Sequence, residues 1–271
     1  MKYFLRLTGL VEVMKSSSHK NRICCVLLLL ALSLLSGACS RSNDELTEVD
    51  EGLVNVDWVL YGEQEQGSGP YPVRMLVNRQ YLRFDDNYDA SDFLLLDRRT
   101  GTLFSVSHEE RSILVIGSQS VDAGLPADIV LTEERVADGD APKIAGQTPL
   151  HVRFRANDKV CYEAFVIPGV QQEMVAALTE YLKLEGRRLL QTLDTVPKAM
   201  QSPCFLSRYV YRPARHMLEG LPVREWDAEG YQRTLVDYGE KLQVPGSLFV
   251  LPDGYTQTRL EPGSPEIFHD H

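Results

Sequence analysis

From residue 53 onward, apolar and polar residues alternate over short runs that are separated by turn residues. Successive side chains of a β-strand point to opposite faces, so such an alternation places the apolar side chains on one face. In the first run this face carries Val54, Val56, Trp58 and Leu60. The strands predicted in this way span residues 54–60, 73–77, 81–84, 93–96, 103–106, 113–116, 150–155, 160–167, 205–211, 221–226, 231–242 and 247–251.

Tight turns separate several of these runs and predict hairpins. Asp97–Gly101 and Asp227–Gly230 each begin with an aspartate and end with a glycine that tolerates a positive φ, and Ala156–Lys159 is a third turn. The predicted fold is therefore mainly β (α+β), a large curved antiparallel sheet or an open half-barrel. About 210 residues without a long linker indicate one domain, residues 53–262, and we expect a disordered tail at 263–271.

One segment shows helical instead of strand periodicity. Apolar residues recur at three- and four-residue steps from Val170, between Pro168-Gly169 and Pro197, which predicts an amphipathic helix of about 26 residues with a weak point at Gly186. We expect it to pack on the concave side of the sheet, either covering a core or acting as a mobile lid. Its candidate groove residues are Met174, Leu178, Tyr181, Leu182 and Leu189.

The front of the chain has the layout of a secretory signal. Lys15, Lys20 and Arg22 precede an apolar run of about 13 residues, which is too short to span a bilayer. The run ends in Leu35-Ser36-Gly37-Ala38-Cys39, which resembles the lipobox of bacterial lipoproteins. The resemblance implies a signal peptide at residues 1–38 and a lipid-modified Cys39. An ordinary secretory signal is the alternative, and Met14 is an alternative start.

The lipoprotein resemblance also implies a location. Ser40 follows the cysteine, and a residue other than aspartate there directs lipoproteins to the outer membrane, so we expect a lipid-anchored protein facing the periplasm. Several acyl chains on Cys39 would hold it to the lipid membrane. Residues 39–52 are polar and acidic, which predicts a flexible, acylated tether.

Charge limits the partners of the mature chain. Removal of residues 1–38 takes away five basic residues and one acidic residue, leaving 23 basic and 37 acidic residues and a formal charge of −14. Such a chain is repelled by phosphate backbones and by anionic lipid head groups. We therefore expect no nucleic-acid partner and no peripheral electrostatic anchor.

Only two cysteines remain in the body of the mature chain. Cys161 and Cys204 flank the predicted helix, and export to an oxidising compartment predicts a disulfide between them. Two buried free thiols are the alternative. A redox pair is disfavoured because a short C-x-x-C spacing is missing.

The sequence gives little support for a catalytic or metal-binding motif. Asp85, Asn87 and Asp89 have the spacing that opens an EF-hand loop, but Ala90 replaces the required glycine and Leu96 the bidentate glutamate. His108, His151 and His216 show no metal-ligand spacing, and the tail with His269 and His271 would at most chelate a metal weakly. The mature sequence carries no G-x-S-x-G or S-x-x-K motif. We predict no metal, no cofactor and no enzymatic activity.

A basic and aromatic stretch offers one further candidate. Arg208 and Arg212, interleaved with tyrosines, could form an anion-binding rim of the groove, because a guanidinium binds an oxyanion in bidentate fashion. The alternative is that these arginines offset nearby acidic residues on the surface.

Three stretches resemble the LolA/LolB-type half-barrel superfamily, in its uncharacterised envelope branch. They are Arg83-Phe84, the strand–turn–strand from Phe93 to Val106, and Leu248 to Tyr255. The resemblance implies an open barrel with an apolar concave surface that receives a lipid or a lipoprotein acyl chain. Two alternatives are a structural lipoprotein with a fully packed sheet that docks an envelope protein, and an unrecognised hydrolase.

Overall fold

The computed structural model describes residues 52–117, 123–136 and 142–260. Strands dominate these residues, as the alternation predicts, and twelve of them form one open sheet. They are β1 (Leu53–Gln64), β2 (Tyr71–Val77), β3 (Tyr81–Asp85), β4 (Phe93–Asp97), β5 (Thr102–Ser107), β6 (Ser112–Ile116), β7 (Leu131–Val136), β8 (Leu150–Ala156), β9 (Lys159–Ile167), β10 (Leu221–Asp227), β11 (Gln232–Pro245) and β12 (Thr256–Leu260).

The sheet consists of two antiparallel meanders joined side by side. Its order is β12-β6-β5-β4-β3-β2-β1-β11-β10-β9-β8-β7, so the first strand of one meander pairs with the last strand of the other. The prediction of a wholly antiparallel sheet is wrong at one edge, where β12 runs parallel to β6. After β11 the chain crosses to the far edge of the sheet, and it arrives there in the same direction as β6.

The predicted hairpin turns are confirmed. Asn157 and Asp158 between β8 and β9 both have positive φ values, 49° and 64°, as the tightest hairpin turns require. Gly101 (φ 66°) and Gly230 (φ 91°) close the turns after β4 and β10. Two strands, β7 and β12, were not predicted. Both are exposed edge strands without an apolar face, so alternation gives no signal for them.

The predicted helix is present and packs on one face of the sheet. Helix α1 (Gln172–Gln191) buries Met174, Leu178 and Leu184 against residues of β1 to β5. It is shorter than the predicted 26 residues, because Thr192 leaves helical geometry (φ −105°, ψ 8°). Short 3-10 turns at Leu193–Thr195 and Lys198–Met200 then follow.

Gly186 is not a weak point of α1 but a position of close packing. A Cβ atom built there would lie 2.8 Å from both the carbonyl oxygen of Val210 and Cγ of Pro213. Only a residue without a side chain permits this approach. The glycine therefore lets α1 dock directly onto the segment that follows it.

That segment is helical, so the strand predicted at 205–211 is wrong. Pro203–Phe205 forms the short helix α2, which continues as a π-helical stretch from Leu206 to Tyr211. The residues at its start favour a helix. The hydroxyl of Ser202 caps the helix by accepting a hydrogen bond from the Phe205 N–H, and Pro203 occupies the first turn. A 3-10 turn, Arg215–Leu218, leads from there into β10. We call residues 203–218 the helical cover.

The strand predicted at 247–251 is also wrong. Residues Gly246–Phe249 form a 3-10 turn in which the consecutive residues Leu248 and Phe249 are both buried. An extended chain would have turned one of them to solvent. Both instead pack against the sheet face opposite α1, together with Phe93 and Ile113.

A disulfide joins Cys161 on β9 to Cys204 in α2, with the two Cα atoms 5.1 Å apart. It borders a third apolar cluster that includes Val152 and Phe154 of β8. The pairing confirms the predicted bridge over the alternative of two free thiols. It holds the helical cover against the sheet.

Several predictions lie outside the described residues: the signal peptide at 1–38, Cys39, most of the tether at 39–52, and the tail at 263–271. Within the described part of the chain, no helix combines the length and the apolar character needed to cross a bilayer.

Candidate functional site

A cavity of about 100 Å³ lies between α1, the sheet and the helical cover. The wall of this cavity has an apolar half and a polar half, which come from different strands. Strands β2 to β4 and α1 supply mainly apolar side chains, whereas β1, β10, β11 and the helical cover supply charged and polar ones. The lining residues are Glu63, Val73, Met75, Phe84, Leu94, Leu178, Tyr181, Leu182, Arg208, Tyr209, Pro213, His216, Met217, Glu225, Tyr231 and Arg233.

The apolar half follows directly from strand alternation. Val73 and Met75 are inward residues of β2, and Phe84 and Leu94 are their counterparts on β3 and β4. Helix α1 closes this half from above, where the rings of Tyr181 and Phe84 pack with centroids 4.7 Å apart. This half can receive only an apolar group.

The polar half is a row of three buried charges on adjacent strands. Arg233 of β11 stands directly opposite Glu63 of β1 on one side and Glu225 of β10 on the other. Its guanidinium donates a hydrogen bond to Glu225 Oε2 over 3.3 Å, and its Nη1 lies 3.8 Å from Glu63 Oε1. The three residues are only 4% to 8% exposed, so this charge row is shielded from water.

Aromatic rings and a second ion pair surround the charge row. The Arg233 guanidinium lies 4.5 Å from the ring centroid of Tyr61, and the Tyr231 hydroxyl donates to Glu225 Oε1 over 3.2 Å. Arg208 of the helical cover forms an ion pair with Asp227 at the end of β10. Burial raises the pKa of Tyr61, which keeps its hydroxyl protonated.

His216 is the least satisfied polar residue of the cavity wall. It is 5% exposed, its Nε2 lies 3.6 Å from Glu225 Oε2, and neither ring nitrogen has a hydrogen-bond partner. Burial is the largest influence on this group and lowers the pKa of His216 to about 4, against the opposing effect of Glu225. At neutral pH the ring is therefore uncharged and offers one donor and one acceptor.

The wall joins an apolar surface to charged side chains that are paired with one another. Arg233 lies between Glu63 and Glu225, Arg208 is paired with Asp227, and His216 is neutral. The arrangement can enclose a small group that presents both an apolar and a polar part.

The predicted groove residues divide between cavity and core. Leu178, Tyr181 and Leu182 line the cavity. Met174 is fully buried in the core between α1 and the sheet, and Leu189 is buried away from the cavity wall. Three of the five predicted groove residues are thus brought together.

The two arginines predicted as an anion rim are not placed together. Arg208 lines the cavity but is buried and ion-paired with Asp227. Arg212 is exposed, lies outside the cavity wall, and donates to the carbonyl oxygen of Tyr211. Residues four positions apart in a strand would share one face. Both arginines instead lie in the helical cover, where this strand geometry does not apply.

The aspartates with EF-hand spacing serve a structural role. Both carboxylate oxygens of Asp85 accept hydrogen bonds from arginines, Oδ1 from Arg74 and Oδ2 from Arg83. Asp89 forms an ion pair with the same Arg74. These oxygens are engaged by guanidinium groups, and the described residues hold no cluster of three acidic, histidine or cysteine side chains suited to a metal.

The charge row was missed by sequence reasoning, although a signal for it exists. Glu63 continues the inward series of Val59 and Tyr61 on β1. A charged residue in phase with an apolar face is a candidate for a buried functional group. Glu225 gives no such signal, because a bulge at Val223 interrupts the alternation of β10. His216 gives none either, because its position depends on the helical cover.

Comparisons with known proteins do not assign this chain to a family. No protein-family model matches the chain, and no curated protein matches it in sequence. An uncharacterized conserved protein from Thermus thermophilus aligns over 76% of this chain and 90% of its own, at 8% identity and a TM-score of 0.40. Two crystal forms of PNGF-II align over 77% and 76% of this chain at 10% and 9% identity, with TM-scores of 0.37 and 0.36.

The chain spans 31% and 32% of the two PNGF-II chains. TM-scores this low carry no argument about fold or function.

Proposed function

We propose that this chain is a lipid-anchored lipoprotein of the outer membrane, facing the periplasm, that binds the apolar part of a lipid or lipoprotein ligand without catalysis. In this proposal the sheet is a LolA/LolB-like open half-barrel, and α1 lies on its concave side. Acylated Cys39 would provide the attachment to the membrane.

The observation that carries the proposal is the apolar half of the cavity beneath α1. Val73, Met75 and Leu94 from the sheet face Leu178 and Leu182 from the helix. A cavity of about 100 Å³ is smaller than the roughly 150 Å³ that holds a benzene molecule. It therefore takes a short apolar group, such as a few methylene groups of an acyl chain, at about 0.8 kcal/mol per buried methylene.

A structural or interaction role is the second candidate, and the packing of the sheet favours it. Apolar residues cover both faces of the sheet, against α1 on one side and around Leu248 and Phe249 on the other. The edge strand β7 is largely exposed and charged at Glu133, Glu134 and Arg135. An envelope protein would then dock on an edge or a loop instead of filling the cavity.

Native mass spectrometry with lipid extraction distinguishes the two roles. The exported chain with Cys39→Ser should carry a stoichiometric small ligand, and Leu182→Lys should lose it because the lysine places a charge in the apolar wall. Leu218→Lys is the matched control, since Leu218 is 82% exposed and lies outside the cavity wall. A chain that carries no ligand and rejects added lipids would support the interaction role instead.

A further inference from the structure

The polar half of the cavity holds buried hydrogen-bonding atoms that the protein itself does not satisfy. Both ring nitrogens of His216 and Nε of Arg233 are buried and have no hydrogen-bond partner. A buried donor or acceptor without a partner costs free energy, and native proteins leave few of them. Since both residues line the cavity, a bound group is the natural partner for these atoms.

The charges of the wall restrict what that group can be. Each arginine of the wall already faces a carboxylate: Arg233 contacts Glu225 and Glu63, and Arg208 contacts Asp227 and Glu225. Three carboxylates thus face two guanidinium groups, and the imidazole beside them is neutral, so an anionic ligand would find no unpaired counter-charge. Any charged ligand would also have to lose its hydration in this buried site, which is costly.

The unsatisfied atoms require both a donor and an acceptor from the ligand. Nε of Arg233 is a donor only, whereas a neutral imidazole has one donor nitrogen and one acceptor nitrogen. A hydroxyl group accepts from an N–H and donates to a ring nitrogen at the same time. A carboxylate lacks the donor, and an ammonium lacks the acceptor.

We propose that this cavity recognises a neutral amphiphile through an uncharged hydroxyl head group, with His216 and Arg233 as its hydrogen-bonding residues. The inference rests on the proposed function for the apolar half and deepens it by naming the head group. Carboxylates such as free fatty acids, and alkylammonium ions, are then poor ligands even when their apolar chains are identical.

A matched series of probes tests the head group separately from the chain. 1-Propanol, butanoate and propylammonium share one propyl chain that is short enough for this cavity, and their dissociation constants for the exported Cys39→Ser chain can be compared at neutral pH by ligand-observed NMR. We expect 1-propanol to bind at least about tenfold more tightly than either charged probe, because one well-placed hydrogen bond is worth about a factor of ten.

The outcomes separate the two proposals. Equal binding of the three probes, or a preference for a charged one, would overturn the hydroxyl assignment and leave apolar binding intact. Binding of none of them would overturn both.

A histidine variant tests the residue assignment. His216→Phe keeps a ring and removes both nitrogens, so the affinity for 1-propanol should fall about tenfold, toward that of propylammonium. His108→Phe is the matched control, because His108 lies outside the cavity wall, beside Phe93 and Tyr255. The preference of the parent chain for 1-propanol stands as a test even if His216→Phe does not fold. Unchanged 1-propanol affinity in a folded His216→Phe would overturn the role of His216.

Discussion

Arg233 and Glu225 stand directly opposite each other on the antiparallel strands β11 and β10, and the Arg233 guanidinium donates to the Glu225 carboxylate over 3.3 Å. Both are less than a tenth exposed. Burial opposes the charge on Arg233, but the attraction of Glu225 and its neighbours outweighs burial, and the pKa of Arg233 is raised. Together with Glu63, this charged pair is built into the middle of the sheet.

Removal of Arg233 should strongly destabilise the protein. Arg233→Met leaves Glu63 and Glu225 buried without this counter-charge, and breaking a buried pair costs about 3–5 kcal/mol. Urea unfolding followed by circular dichroism measures the free energy of unfolding. Arg135→Met is the control, because Arg135 is 58% exposed in its ion pair with Glu219 and such surface pairs contribute less than about 1 kcal/mol. Equal losses for the two variants would contradict a structural role for the charge row.

Stability should fall as the pH drops from about 6.5 toward 4. His216 has a pKa of about 4 in the folded protein and 6.5 as its ordinary value, so the unfolded chain binds the extra proton first. The free energy of unfolding is unaffected by this group above about pH 6.5. It falls by about 3 kcal/mol as the pH drops to about 4, because the extra proton stabilises the unfolded chain. Glu225, Arg233, Arg208 and Tyr162 are the charged and titratable groups that face this ring.

The difference between the parent chain and His216→Phe isolates this effect from other carboxylates that titrate in the same range. The free energies of unfolding of both should be measured from pH 4 to 8. The gap between the two curves should change with pH between 6.5 and 4 and stay constant above 7. Parallel curves over the whole range would show that His216 has an ordinary pKa.

Loss of the disulfide should also lower stability. The bridge joins residues 43 positions apart, and closing such a loop restricts the unfolded chain by about 4 kcal/mol. The double variant Cys161→Ser, Cys204→Ser should therefore unfold at a lower urea concentration than the oxidised parent. The parent treated with a reducing agent should behave like the double variant; if reduction has no effect, the bridge contributes little.

Gly186→Ala should destabilise the protein even though alanine is the better helix former. The helix propensity gain is at most about 1 kcal/mol, whereas the added methyl group would meet the Val210 carbonyl oxygen and Pro213 Cγ at 2.8 Å. Overpacking of this kind costs about 1–3 kcal/mol. Lys183→Ala, at an exposed position of the same helix, is the control and should change stability by less than about 0.5 kcal/mol. A stabilised Gly186→Ala protein would show that α1 is not tightly docked on the helical cover.

The lipid anchor is testable on Cys39 alone. In a bacterial host that processes lipoproteins, the parent chain should incorporate radiolabelled palmitate and sediment with the outer membrane. Cys39→Ser should do neither, because the acyl chains have no attachment point. Incorporation that persists in the variant would place the lipid elsewhere or reject the lipoprotein signal.

Much of the secondary structure could be predicted from the sequence because the responsible signals are local. The alternation of Val54, Val56, Trp58 and Leu60 spans a few residues, and so does each hairpin turn. The same local rule failed at 205–211 and 247–251. At 205–211 the helix start at Ser202 and Pro203 and the close approach of α1 to Val210 favour a helical backbone. At 247–251 the backbone forms a 3-10 turn that buries both Leu248 and Phe249.

The sequence by itself determined a mainly β chain, an amphipathic helix and two cysteines that flank it. The tertiary structure alone decided which strands meet, and therefore where the charges lie. Glu63 and Arg233 become neighbours only because β1 pairs with β11 across 170 positions of chain. A two-residue alternation specifies which face a side chain occupies, but long-range strand pairing specifies which side chains share that face as neighbours.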